Sequence, residues 1–294
     1  MGRLRMQMED HMVLRGYAPS TIRLYLTCTG AFARHFRASP LELGGKEIEA
    51  FLLDLRRKGR SESTVHIYYE ALRVFYGSHG LLDRLPSLAF RHSPPRVAYL
   101  PTQEEVGAFL EGCDSLRLKT LFSLIYSGGL RISEAANLRL GDIDWARGRI
   151  LVRKAKGGKG RSTLLAVSAR ALLVDYLKVY RPVDYLFPRT GEISLPMSLS
   201  SIQRAFRRHA AGIPGMGEAR VHTLRHCFAT HLMEGGASIF HIMHLLGHSS
   251  IQTTLTYLHF RESACLAIRS PLDCRAFSVA APRNPGELGF LASA

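Results

Sequence analysis

Four separated stretches in the second half of the chain hold side chains suited to handling a phosphate. Ser127-Gly128-Gly129-Leu130-Arg131-Ile132-Ser133-Glu134 places an arginine directly after a glycine turn, where an apolar helix begins. A guanidinium in such surroundings is costly to bury without an anion, and Glu134, about one helical turn on, can orient it. Lys156 lies at the tip of a basic segment. His222-Thr223-Leu224-Arg225-His226 opens a helix on which positions 222 and 225 share a face, and backbone N–H groups at a helix start favour an anion. Leu245-Leu246-Gly247-His248-Ser249-Ser250 is followed, nine residues after His248, by Tyr257.

Taken in order, these groups list what a phosphodiester reaction without metal requires. Two arginine forks neutralise both non-bridging oxygens. Two histidines add hydrogen bonds to the charge that develops in the transition state. A lysine protonates the leaving oxygen, and a tyrosine hydroxyl attacks. The competing chemistry is a metal site, because seven of the 13 histidines lie between 222 and 259 and His222, His226, Cys227 and His231 could be read as zinc ligands. The HExxH glutamate is missing, one cysteine is nearby and His231 falls off the ideal helical face, so no metal is expected. His226, His231, His241 and His244 are read as packing or surface residues. The chain also lacks a Walker motif and a paired-carboxylate site, so no nucleotide or other cofactor is expected.

Charge points the same way. The 294 residues carry 39 Lys+Arg against 24 Asp+Glu, a formal net charge of +15, and both halves are basic. The densest stretch holds Arg147, Arg149, Arg153, Lys154, Lys156, Lys159 and Arg161 without an intervening carboxylate. Like charges in such a run repel unless a phosphate backbone relieves them, so its members outside the reacting pocket are expected to hold DNA. No apolar run approaches the roughly 18 residues of a membrane span, and the start has no secretory pattern. Five scattered cysteines without a CxxC pair argue against a disulfide scaffold, so a cytoplasmic protein is expected.

The elements that position these groups fall into two parts. The first ninety residues read as a bundle of helices, with starts at Pro19-Ser20-Thr21 and at Ser61-Glu62-Ser63-Thr64 and a short amphipathic helix over 47–57 between them. Arg91-His92-Ser93-Pro94-Pro95-Arg96 reads as a linker, since paired prolines cannot continue a helix. Thr102-Gln103-Glu104-Glu105 has capping-box spacing, and 118–126 is apolar on most sides. Two strands, at 149–153 and 162–167, flank the turn Lys156-Gly157-Gly158-Lys159-Gly160. Helices follow at about 169–180, 199–210, 223–234, 238–246 and 251–258, and from Pro271 the pattern fades.

The ordered set of GLRISE, the hairpin lysine, HTLRH, LLGHSS and the tyrosine nine residues beyond His248 resembles the tyrosine recombinases, or phage integrases, and most closely the compact Xer-like bacterial recombinases. The resemblance covers about residues 15–260. It implies a mainly α fold: a helical, SAM-like core DNA-binding domain over 1–92, a linker over 93–100, a mixed helical catalytic domain with a small antiparallel β-sheet or hairpin over 101–270, and a tail over 271–294. The bundle pattern begins near Pro19, so no arm-binding domain is expected ahead of it. The resemblance implies that Arg131 and Arg225 clamp the scissile phosphate of double-stranded DNA, His222 and His248 bind it, and Glu134 supports them. Lys156 is implied as general acid, although Lys154 and Lys159 share its hairpin; Ala155-Lys156-Gly157 fits the family's Lys-Gly turn best. Tyr257 is implied as the nucleophile of a covalent 3′-phosphotyrosine intermediate. Ionising a phenol at neutral pH costs roughly 4 kcal/mol, which the positive pocket would offset. The family works as a tetramer on two DNA sites. The alternatives are a DNA-binding protein that cuts nothing, which would not need Tyr257 with both arginines, and a type IB topoisomerase, which shares the chemistry but acts as a monomer and rejoins the same strand, whereas the first-half bundle resembles the recombinase core-binding domain.

Overall fold

A computed structural model of the chain describes residues 2–90, 99–153, 160–248 and 250–255. The chain divides into two units, Met1–Arg96 and Val97–Ala294.

In the first unit, α1 (Gly2–Leu14), α2 (Pro19–Phe36), α3 (Gly45–Arg57) and α4 (Glu62–Ser78) pack as a bundle. Helix α2 starts one step earlier than a cap at Ser20 or Thr21 would place it. Ala18 is the N-cap and Pro19 occupies the first turn, where a missing N–H costs nothing and the fixed φ already suits the helix. Ser61 caps α4 as expected, its hydroxyl accepting from the Thr64 N–H at 3.3 Å. Helix α1 runs ahead of the anticipated start near Pro19. Its signal is a single stripe, Leu4, Met8 and Met12, of which the two methionines are fully buried. Phe32, Phe51, Phe75 and Tyr76 form the centre of this core, with Phe32 edge-on to Phe51 at 5.3 Å.

The second unit starts with α5 (Gln103–Glu111), where Thr102 and Glu105 make the expected reciprocal cap: the Glu105 N–H reaches Thr102 Oγ1, and the Thr102 N–H reaches Glu105 Oε2. Then come α6 (Leu116–Gly128), α7 (Ile132–Ala136), β1 (Ile143–Asp144), β2 (Arg149–Val152), β3 (Arg161–Leu164) and α8 (Val167–Tyr180). The chain continues through β4 (Pro188–Arg189), β5 (Glu192–Pro196), α9 (Leu199–Ala210), α10 (Val221–Glu234), α11 (Ile239–Leu246) and α12 (Gln252–Leu255). The mainly helical architecture with small antiparallel sheets agrees with the sequence reading.

Two details differ. The expected pair of strands is a three-stranded antiparallel sheet, because β1 adds Ile143↔Ile150 to the register Arg149↔Leu164 and Val152↔Arg161. The β4–β5 ribbon has no counterpart in the sequence reading, since prolines stand at both of its ends and Ile193 and Leu195 are exposed rather than alternating inward. An edge ribbon tolerates proline, because its outer N–H groups need no partner.

Helix α6 is the axis of the second core. Leu121, Phe122, Leu124 and Ile125 are all fully buried, and Phe122 meets Phe109 and Phe206 at 5.4 Å each. A helix apolar on most sides is enclosed by its neighbours, here α5, α8 and α10. Its C-terminal turn therefore holds still and hands the chain to Arg131.

Candidate active site

The site is built where two helices end. Helix α6 ends at Gly129, whose φ is +58°. A Cβ there would lie 2.3 Å from Phe228 Cδ1, so only glycine fits both the backbone and the packing. Helix α11 ends at Gly247, φ +65°, where a Cβ would lie 2.6 Å from Arg161 Cδ. The carbonyls left unpaired at these two ends point at guanidiniums, the favourable partner for a helix C-terminus. Arg225 Nη1 donates to Gly129 O and Arg225 Nη2 to Leu246 O, both at 2.7 Å, and Arg161 Nε donates to Leu245 O at 2.7 Å.

Glu134 lies between three arginines. Its carboxylate takes both Nη atoms of Arg161 at 2.7 Å and Arg131 Nη1 at 2.8 Å, with Arg225 Nη1 3.7 Å away. Glu134 also accepts the Arg131 backbone N–H at 2.7 Å, which caps α7 from its third residue. Burial alone would push this carboxyl up, but the Arg161 fork and the Arg131 bonds outweigh it and hold the pKa at about 2. Arg225 is 1% exposed and held from several sides, whereas the Arg131 side chain remains 26% exposed.

The histidines add neutral rings. His248 Nε2 lies 3.1 Å from Arg225 Nη2, and its Nδ1 lies 2.8 Å from Thr254 Oγ1. Burial, then the Arg225 and Arg131 charges, press its pKa down to about 4. His222 is exposed at the start of α10 and edge-on to His226, with ring centroids 4.4 Å apart. Loss of water around its ring, followed by the Arg225 and Arg131 charges, lowers its pKa from 6.5. His226 is pushed down to about 4, first by burial and then by His222 and Arg225. Arg131, Glu134, His222, Arg225 and His248, expected together from three of the four stretches, thus lie close to one another. Lys154, Lys156, Lys159 and Tyr257 lie outside the described residues.

The basic run needs a correction. Arg161, expected to grip DNA, is buried, with 4% of its side chain exposed and its fork spent on Glu134. Nor does the run lack counterions. Arg147 pairs with Asp144 at 3.2 Å, and Arg153 pairs with the buried Asp142. The carboxylates stand just ahead of the run, at Asp142 and Asp144, so their absence from the run itself was misleading. Arg147 and Arg153 stay largely exposed, and Arg149 is half-buried on β2. A cleft of about 570 Å³ with mixed polar and apolar walls opens beside Arg153, lined by Glu134, Arg139, Asp142, Leu151 and Tyr185 among others.

His231 is occupied in packing, as expected. Its Nε2 is 3.1 Å from Pro101 O and its Nδ1 is 2.8 Å from the Tyr126 hydroxyl. Among the described residues, no group of three or more His, Cys, Asp or Glu is arranged to hold a metal ion, and no helix is long and apolar enough to cross a membrane. Thr254, which orients His248, was not anticipated. Nothing in its local sequence marks it, because its role depends on the fold of the 248–255 segment.

The comparisons with known proteins bear on this arrangement. The profile described as the phage integrase family matches residues 101–263, and that of the phage integrase N-terminal SAM-like domain matches residues 4–84. The chain is 32% identical to the tyrosine recombinase XerA of Thermococcus onnurineus over 259 residues, 85% of this chain and 88% of that protein. The crystal structure of XerA recombinase aligns with a TM-score of 0.52 at 26% identity, covering 90% of this chain and 96% of that one. A crystal structure of a lambda integrase dimer bound to a COC′ core site aligns with a TM-score of 0.71 at 20% identity, covering 90% and 96%. That last likeness concerns the fold. The family profile spans more than half of the chain and the XerA relative most of both sequences, so this protein belongs to the phage integrase family of tyrosine recombinases, enzymes that break and rejoin DNA.

Proposed function

We propose that the pocket of Arg131, His222, Arg225 and His248 holds the scissile phosphate of a specific site in double-stranded DNA. In this reading Tyr257 attacks that phosphate to leave a covalent 3′-phosphotyrosine, and Lys156 gives a proton to the departing 5′ oxygen. The observation that carries the reading is the charge balance around Glu134. One carboxylate faces three guanidiniums, two of them deeply buried. Such an excess is expensive in an apolar surround unless an anion completes it, and a phosphodiester gaining charge in its transition state supplies that anion.

The phosphotyrosine preserves the energy of the phosphodiester bond. A 5′-hydroxyl from another strand therefore reverses the step with no nucleotide or metal. Arg147, Arg149 and Arg153, with Lys154 and Lys159, hold the flanking backbone, while the 1–92 helical domain holds the duplex ahead of the 93–100 linker and the 101–270 catalytic domain. The lambda integrase dimer described as bound to its core site supports a DNA substrate engaged by more than one protomer. We place the working form as a homotetramer on two sites, in the cytoplasm.

The test is a suicide duplex, nicked beside the cleavage position, incubated with wild type and Tyr257→Phe. Wild type should yield a protein–DNA adduct that survives denaturation, and Tyr257→Phe should yield none. An adduct that persists in the Phe variant removes Tyr257 from the reaction.

A further inference from the structure

Arg161 belongs by sequence to the basic run, yet it shares little with the exposed members of that run. It is the first residue of β3, in register with Val152 and two residues beyond the segment 154–159 that contains Lys156. Its side chain is buried, and each of its three guanidine nitrogens has a partner: Nη1 and Nη2 on the two oxygens of Glu134, and Nε on Leu245 O, all at 2.7 Å. These bonds join positions 27 and 84 residues away along the chain.

We propose that Arg161 is a positioning residue for strand cleavage, fixing the catalytic groups of three elements relative to one another without touching the DNA. The proposal rests on the strand-cleaving reading above. Three relationships support it. First, the Arg161 fork orients the Glu134 carboxylate, and that same carboxylate holds Arg131 through Nη1 and the backbone N–H. Second, the Nε bond to Leu245 O secures the last turn of α11. The next carbonyl, Leu246 O, is an Arg225 acceptor, and the left-handed turn at Gly247 then delivers His248. Third, the stem of Arg161 fills the space beside Gly247, where even a Cβ would approach within 2.6 Å of its Cδ. One side chain on the strand that follows the Lys156 segment thus sets Arg131 through Glu134, and Arg225 with His248 through α11.

Lysine cannot reproduce this. A single ammonium can keep the charge, but it cannot place two parallel bonds on Glu134 and a third on Leu245 O. Geometry rather than charge is what the position supplies, and that separates a positioning role from a grip on DNA. A backbone-gripping arginine changed to lysine keeps most of its affinity and its cleavage rate at saturation. A positioning arginine keeps affinity and loses rate.

The experiment uses the full chain and the nicked suicide duplex, with adduct formation followed at saturating DNA and affinity measured across a salt series. Arg161→Lys is expected to bind as wild type does, with the same salt slope, and to form adduct about 100-fold more slowly, the scale of a displacement near 1 Å in the pocket. Arg161→Ala, where it folds, should be slower still, and low-millimolar methylguanidinium should restore part of its rate. Damage to the fold alone would not be repaired by that additive, which at low-millimolar concentration leaves stability essentially unchanged. A wild-type rate for Arg161→Lys at saturation overturns the positioning role, as does an Arg161→Ala protein with weakened affinity, a salt slope reduced by about one and an unchanged rate, the signature of a phosphate contact. A wild type that forms no adduct overturns the cleavage reading itself and this proposal with it, so the two failures are told apart.

Discussion

Arg225 and His248 meet with Nη2 3.1 Å from Nε2, and because a guanidinium only donates, the ring must accept there. The imidazole proton is therefore on Nδ1, aimed at Thr254 Oγ1 at 2.8 Å. His248 is thus held neutral, in one tautomer, with its pKa pressed to about 4 by burial and by the Arg225 and Arg131 charges. An anion in the pocket reverses the second cause. It offsets the arginines and makes a second proton on the ring favourable.

Proton uptake on DNA binding follows from this. His222 and His248 both sit below their ordinary value in the free protein. A bound phosphate raises both, so the complex binds more protons than the free partners, and affinity should rise as pH falls toward the free-protein values. Measuring Kd from pH 5 to 8 checks this, with His222→Asn, His248→Asn as the comparison. If the double variant keeps the wild-type pH dependence, the uptake belongs to other groups.

Thr254→Val should slow cleavage while leaving the fold intact. Valine matches the shape of threonine and removes only the acceptor for Nδ1–H, a loss of about 1 kcal/mol, or roughly fivefold in rate if the ring is free to turn. Thr254→Ser should return most of the activity, since the hydroxyl is restored. A Val variant as fast as wild type in single-turnover adduct formation would show that the ring needs no such orientation.

Much of the pocket was readable because its parts are linear motifs. A glycine turn ahead of Arg131, and His222 with Arg225 on one helical face, depend on neighbours within a turn or two. What the sequence hid is the pairing across distance. Nothing local reveals that Arg161 meets Glu134 and Leu245 O rather than solvent, because a basic run looks the same whether its counterions lie elsewhere or nowhere. Helix α1 was concealed for a different reason. Its apolar stripe of Leu4, Met8 and Met12 is one residue wide and lies among charged neighbours. The β4–β5 ribbon, with exposed side chains and terminal prolines, shows no alternation to detect.

Gly129→Ala should be strongly destabilising. The position has a φ of +58°, and the new Cβ would meet Phe228 at 2.3 Å and Leu246 at 2.9 Å. Left-handed backbone and overpacking together cost about 2–4 kcal/mol. By contrast Gly217, which has open space around it, should accept alanine within about 0.5 kcal/mol. Thermal unfolding of the two variants decides it, and equal Tm values would contradict the packing at the end of α6.

Acid should weaken the protein in two windows. His226 and His248 titrate near 4 when folded and near 6.5 when unfolded. Between those values the unfolded chain holds more protons, so stability falls as pH drops from about 6.5 toward 4. Glu134 contributes in the opposite chemical sense but the same direction. Its folded value of about 2 lies below the ordinary carboxylate value of 4.5. Its contribution is complete above 4.5 and is lost as pH falls toward 2. A Tm series from pH 7 to 3 should show the first decline beginning above pH 5, well before carboxylates titrate. His226→Asn should flatten that first part, and an unchanged series in the variant would remove His226 from the account.

Arg131 and Arg225 should separate in their responses to substitution, because they are held so differently. Arg225 is enclosed, with bonds to two helix ends and to His248, so Arg225→Ala leaves the Gly129 and Leu246 carbonyls without their donor and damages the fold along with the chemistry. Arg131 is partly exposed, and its side chain engages the protein mainly through Nη1 on Glu134, which keeps the Arg161 fork if Arg131 is removed. Arg131→Ala should therefore fold, bind DNA through the remaining basic surface and lose about 10²–10³-fold in cleavage, the scale for one preorganised donor to a developing oxyanion. Arg131→Lys should recover part of that loss, since charge returns without the fork. Circular dichroism, DNA affinity and single-turnover adduct formation on the same preparations check the three parts together. An Arg131→Ala protein that cleaves at the wild-type rate would mean that the arginine after the glycine turn serves α7 alone and that the phosphate lies elsewhere.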